Sequence, residues 1–79
     1  MTEQISRLRS PGDIGLAIQQ ARLARGLSQT ALAETLGISQ RSVSEIESGT
    51  PTIYIRKVFD LLDATGVELS AQWDDGESR

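Results

Sequence analysis

Apolar residues recur at helical spacing in four blocks of this chain, and the first three blocks are each opened by a serine and closed near a glycine. In the first block, Ser10-Pro11-Gly12-Asp13 puts a hydroxyl acceptor at the N-cap and proline at the first helical position, where its missing N–H costs nothing. An acid follows three residues after the cap. Ile14, Ala17, Ile18, Ala21 and Ala24 then share one face until Gly26, which predicts a helix over about 11–25. Leu16 and Leu23 fall on its opposite side and suit either packing against the N-terminal segment or last helix, or a partner surface. Ser28 caps a second helix, Gln29 to Leu36, with Leu32, Ala33 and Leu36 inward and Gly37 as its stop. Ile38 is expected to be buried in the turn. Ser39 caps a third helix from Gln40 to about Ser48, anchored by Val43 and Ile46 and stopped by Gly49. After a Thr50-Pro51-Thr52 loop, Ile55, Val58, Phe59 and Leu62, with Leu61 alongside, predict a fourth helix that closes at Gly66.

From Val67 the period changes from 3.6 to 2. Val67, Leu69, Ala71 and Trp73 alternate with Glu68, Ser70 and Gln72, the pattern of a strand. A lone strand cannot satisfy its backbone groups, and no second strand pattern is visible elsewhere, so its partner is expected to be a second copy of the chain about a two-fold axis. A tail, or an extension of the fourth helix, is the alternative. Residues 1–9 contain Ile5 and Leu8 without a cap or period and are expected to form a flexible arm. The domain plan is therefore an arm at 1–9, a helical domain at 10–66, a dimerisation strand at 67–73 and a disordered acidic tail at 74–79.

Composition changes this picture in two ways. With 79 residues, 38% of them hydrophobic and 4% aromatic, the chain makes one small domain near the size at which a partner is needed for stability. Without cysteine or histidine it offers no thiolate or imidazole for metal binding or catalysis, so neither an enzyme nor a metal or other cofactor is expected. There is no apolar run of about 18 residues and no signal-peptide pattern, which reads as a cytoplasmic protein without membrane contact. The formal charge of −3 argues against nucleic acid until it is divided by position. Residues 1–57 carry +2 and residues 58–79 carry −5, so the acidity belongs to the last third.

The stretch from Gln29 to Ser48 reads as a helix-turn-helix. Ala33 is small enough for two helices to cross closely, Gly37 permits the positive φ of a tight turn, and Val43 fills the wedge with Leu32, Leu36 and Ile46. Steps of 100° put Arg41, Ser44, Glu45 and Ser48 on the far side of the third helix, with Gln40 at its flank. These are side chains that read base edges: Arg pairs with guanine O6 and N7, Gln with adenine N6 and N7, and Ser with either. Ser28 and Gln29 offer neutral donors to a phosphate at a helix N-terminus. An acid at Glu45 repels phosphate unless it accepts from cytosine N4, so it either specifies sequence or holds Arg41.

Gly26-Leu27-Ser28-Gln29, Leu32-Ala33, Leu36-Gly37-Ile38-Ser39-Gln40, Val43-Ser44 and Ile46-Glu47-Ser48-Gly49 together resemble the lambda repressor-like (Cro/C1, Xre) DNA-binding domain. Ser10-Pro11, Gly49-Thr50-Pro51-Thr52-Ile53, Lys57-Val58-Phe59-Asp60-Leu61-Leu62 and Gly66-Val67-Glu68-Leu69 make the chain similar to HipB-like antitoxins of bacterial type II toxin–antitoxin operons. The resemblance covers about residues 10–73 and implies a mainly α fold, a bundle of four to five short helices with the C-terminal strand pairing between protomers. It implies that Gln29 clamps a phosphate and that Gln40, Arg41 and Ser44 enter the major groove, with Ser39, Ser42 and Glu45 at the borders of that set. It also implies an ion pair of Arg22 with Glu47, a homodimer joined through Val67, Leu69, Ala71 and Trp73, and a palindromic double-stranded operator. The remaining implied partner is a HipA-like serine/threonine kinase toxin, for which Asp60, Asp63, Asp74, Asp75, Glu77 and Trp73 are candidate contacts. A solitary transcriptional regulator and a protein-interaction module are the alternatives.

Overall fold

A computed structural model of the protein describes residues 3–74. The element order is β1 (Glu3–Leu8), α1 (Pro11–Ala24), α2 (Gln29–Leu36), α3 (Gln40–Glu47), α4 (Ile53–Thr65) and β2 (Leu69–Asp74). Side-chain oxygens of Ser10, Ser28 and Ser39 accept from the N–H three residues on, so each of the first three helices starts where its hydroxyl replaces a missing backbone partner. Thr52, the last residue of the expected loop, does the same for α4, which begins directly after it at Ile53.

The N-terminal arm is corrected to a strand. β1 pairs antiparallel with β2 in the same chain, with Gln4 opposite Trp73, Ser6 opposite Ala71 and Leu8 opposite Leu69. Alternation failed to reveal β1 because the strand positions that face inward carry Gln4, Ser6 and Leu8, while its isoleucine, Ile5, points outward and is exposed. The expectation that the chain holds no second strand for 67–73 is overturned with it. The C-terminal strand also starts later than expected: Val67 lies before it, because its N–H closes α4 on the Leu62 carbonyl at 3.0 Å. Asp74, assigned to the tail, ends β2 opposite Glu3, and residues 75–79 lie outside the described residues.

Helix α1 is central, touching α3 on one side and both strands on another. Gly15 sets how closely α1 meets α3, for a methyl group there would overlap the carbonyl oxygens of Ile46 and Glu47. Ala17, Ala33, Val43 and Phe59 are the buried apolar residues among those described, joined by the charged pair Arg22 and Glu47. Several expected core positions are not closed over. Ile46 is 49% exposed, and Leu36 and Ile38 are also open. The reason lies in α3, whose inward direction is set by Val43 and Glu47, four apart, which turns Ile46 onto the flank beside Pro11, Ile14, Tyr54 and Ile55. Leu16 and Leu23 are exposed in the protomer. No helix among the described residues is long and apolar enough to cross a membrane.

Candidate nucleic-acid interface

Two short helices and a glycine build the site. Gly37 takes φ +71°, a conformation costly for any residue with a Cβ, and the following Ile38 N–H returns to the Ala33 carbonyl at 3.0 Å. The chain reverses sharply enough for Ser39 to cap α3 at once, and buried Ala33 and Val43 seat α2 against α3. With Val43 and Glu47 held inward, α3 turns Gln40, Arg41, Glu45 and Ser48 out to solvent, with Ser44 half-buried at their edge.

A buried hydrogen-bond chain fixes that orientation. Arg22 Nε of α1 donates to Glu47 Oε2 at 2.6 Å and Nη2 to Oε1 at 3.0 Å, and Nη1 donates to the Leu27 carbonyl at 2.8 Å. The two side chains are 8% and 2% exposed. A bidentate contact to a guanidinium favours the ionised carboxylate more than burial disfavours it, so Glu47 is held below the usual carboxylate range. The Arg22 guanidinium is held protonated by the same contact. Gln29 Nε2 donates to Glu47 Oε1 at 3.0 Å, and Gln29 Oε1 accepts from Gln40 Nε2 at 2.5 Å. Helix α1, the first turn of α2 and both ends of α3 are thus joined through one carboxylate.

Gln29, assigned to a phosphate, spends its oxygen on Gln40 and one N–H on Glu47, which leaves its second amide hydrogen for a phosphate oxygen. The Gln29–Gln40 bond was not anticipated. Its signal is that both glutamines follow a capping serine as the first residue of successive helices, and a tight turn brings those two first turns together. Ser28 accepts from the Ala31 N–H and keeps its hydroxyl hydrogen free to donate. Ser39 accepts from the Ser42 N–H, and the two hydroxyls share a hydrogen bond at 2.9 Å, so one hydrogen of the pair remains. Arg41 Nε donates to Glu45 Oε2 at 3.2 Å, an exposed pair one helical turn apart. Among the proposed dimerisation residues, Val67 and Leu69 are exposed, whereas Ala71 and Trp73 are half-buried on the inward face of the sheet. Trp73 shares a shallow pocket with Ala21 and Arg25.

The Arg41–Glu45 pair carries a prediction. An exposed pair of this kind is worth little to folding, so Glu45→Gln leaves the melting temperature within a few degrees of wild type. Removing the acid from the outward face strengthens binding to non-specific duplex DNA and steepens the fall of log K with log salt. Fluorescence anisotropy against a scrambled duplex at several salt concentrations checks this, and an unchanged slope and affinity would exclude Glu45 as a modulator of phosphate contact.

The helix-turn-helix family HTH_3 matches residues 18–72. An HTH-type transcriptional regulator of Sinorhizobium fredii (strain NBRC 101917 / NGR234), y4mF, is 33% identical over 63 residues, spanning 80% of this chain and 83% of that protein. No solved structure matches the chain. The braced turn and the family match meet on the same residues, and the chain belongs to the lambda repressor-like helix-turn-helix family of DNA-binding proteins.

Proposed function

We propose that this protein is a homodimeric transcriptional repressor that reads a palindromic operator with α3 and controls its own operon. The observation that carries this reading is the division of α3: Val43 and Glu47 are locked inward, and Gln40, Arg41, Ser44 and Glu45 form an unobstructed polar face. Arg41 and Gln40 supply bidentate base contacts, and Ser28, Gln29, Ser39 and Ser42 supply donors to flanking phosphates. The Sinorhizobium fredii relative is named as an HTH-type transcriptional regulator, which supports the same role. One protomer carries few cations, so two copies on half-sites about 34 Å apart, one turn of DNA, supply the affinity that one lacks. Within the sheet, β2 pairs with β1 along one edge, and its other edge is the place for pairing with a second copy, flanked by Val67 and Leu69.

The antitoxin role rests on the HipB-like motifs. In that reading a HipA-like kinase encoded beside this chain is bound and restrained, and the −5 segment from residue 58 onward, with Asp60, Asp63 and Asp74, offers it a docking charge remote in sequence from α3. Co-expression with the neighbouring reading frame tests this directly: a kinase-sized protein co-purifies, and its absence favours a solitary regulator. For the DNA reading, Arg41→Ala is expected to weaken binding to the DNA upstream of its own gene by roughly 10- to 100-fold per half-site, the worth of one bidentate base contact. Arg41→Lys recovers only part, because an ammonium lacks the fork geometry. Equal affinity of wild type and Arg41→Ala in an electrophoretic shift assay would remove α3 from the interface.

A further inference from the structure

Two arginine–glutamate pairs involve α3, and they use the guanidinium differently. Arg22 spends Nε and both terminal nitrogens on Glu47 and the Leu27 carbonyl. Arg41 donates to Glu45 Oε2 through Nε at 3.2 Å, and its two terminal nitrogens have no hydrogen-bond partner among the described residues. Its fork is therefore held from one side and open at the end that pairs with guanine O6 and N7. Glu45 is likewise half spent. Its Oε1 has no partner among the described residues, and the Ser48 hydroxyl one turn on donates to the Glu45 main-chain carbonyl at 3.0 Å, not to the carboxylate. Both side chains face solvent, 87% and 51% exposed. The order of the pair runs against helix stability. Arg41 stands in the first turn of α3 and Glu45 in the last, each at the end of the helix dipole that disfavours its charge, and base before acid is the weaker i,i+4 order. Folding alone gives no reason for this arrangement.

We propose that Arg41 and Glu45 act as one reading unit for two adjacent base pairs, Arg41 taking a guanine and Glu45 a cytosine at the neighbouring pair. This rests on the reading of α3 above as the base-contacting helix and names a two-pair step within each half-site. Glu45 has a role at each of its oxygens. Oε2 holds Arg41 Nε, so that both terminal nitrogens face guanine, and Oε1 accepts from cytosine N4. The spacing fits this division. Four residues advance about 6 Å along α3 and stacked bases lie about 3.4 Å apart, so two side chains that converge on each other reach neighbouring pairs. Cytosine is singled out by what lies beside its donor. Adenine N6 sits between two acceptors, its own N7 and thymine O4, which repel a carboxylate, whereas cytosine N4 has an acceptor on one side only. The adjacent Arg41 charge offsets repulsion between Glu45 and the phosphates, so the acid reads a base without driving the helix from the groove.

Selection from randomised duplex DNA, followed by atom-level changes in the selected duplex, tests the unit. Sequences bound by wild type are expected to carry, in each half-site, a guanine with a cytosine at the adjacent pair, on the same strand or the other. Glu45→Gln is expected to keep the guanine and to exchange the cytosine for adenine, because a carboxamide pairs with adenine N6 and N7. On the wild-type sequence, N4-methylcytosine at that position puts a methyl group in place of the major-groove N–H. It is expected to weaken wild-type binding by roughly tenfold or more, and Glu45→Gln binding much less. If Glu45→Gln fails to fold, the response of wild type to N4-methylcytosine decides. The proposal is overturned if Glu45→Gln selects the same neighbouring base as wild type, or if wild type binds the methylated and unmethylated duplexes equally. A guanine that is still selected by wild type and lost in Arg41→Ala then leaves α3 as the reading helix, with Glu45 outside the base contacts. No sequence enriched by wild type at all overturns the DNA reading itself.

Discussion

Glu47→Ala is expected to lower the melting temperature by roughly 15 °C or more, the cost in a domain this small of leaving one partner of a buried ion pair uncompensated. The effect is large because Glu47 accepts from Arg22 twice and from Gln29 once, and its loss strands the Arg22 guanidinium in a site that is 8% exposed. It also releases Gln29, whose oxygen positions Gln40 on the outward face, so DNA affinity falls even at temperatures where the variant stays folded. Replacing the pair by apolar residues, Arg22→Met with Glu47→Leu, is expected to regain much of the stability without restoring the affinity. Differential scanning calorimetry and anisotropy separate the two effects; equal loss of both in the double variant would mean that the chain from Arg22 to Gln40 serves folding alone.

The same carboxylate gives stability a pH dependence. Held below its ordinary pKa by the guanidinium, folded Glu47 takes up a proton less readily than unfolded Glu47. Its stabilisation is therefore fully present above the unfolded pKa, and is lost as the pH falls from about 4 through the lower folded value. Glu47→Gln removes this part of the acid sensitivity, so its melting temperature declines less steeply than that of wild type below about pH 4.

Two glycines of α1 are expected to respond to alanine with opposite signs. In a helix interior, glycine to alanine ordinarily stabilises by roughly 0.5–1 kcal/mol. At Gly12 the nearest atom to an added methyl is Ser10 Oγ at 3.6 Å, an ordinary contact, so Gly12→Ala keeps or slightly raises the melting temperature. At Gly15 the methyl meets two backbone carbonyls at the C-terminal end of α3, which cannot swing aside as a side chain would. Helix α1 must then move away from the residues that brace the DNA face, and Gly15→Ala is expected to lower the melting temperature by about 10 °C or more despite its better helix propensity. A stabilised Gly15→Ala variant would show that α1 and α3 are not in close contact.

How legible each feature was depends on whether its cause is local. Helix starts were readable because Ser10, Ser28 and Ser39 act on N–H groups three residues away. The turn was readable because Gly37 supplies a conformation that other residues avoid. Strand β1 was not, since its inward side is mostly polar and its existence depends on β2, more than 60 residues away. Ile46 misled because α3 is oriented by Glu47, a charged residue that an apolar stripe leaves out. The Arg22–Glu47 pair was accessible only through family likeness, because nothing local in either residue marks it as buried. Gly15 gave no signal, for its importance lies in two carbonyls on another helix.

The most direct measurement of the central claim is selection of binding sequences by the purified protein from randomised duplex DNA, run beside Arg41→Ala. The outward face of α3 in a two-fold dimer predicts two inverted half-sites whose centres lie about 10 base pairs apart or a multiple of that, and an Arg41→Ala motif degraded at a G·C pair in each half. No enriched sequence, or the same motif from both proteins, would contradict it.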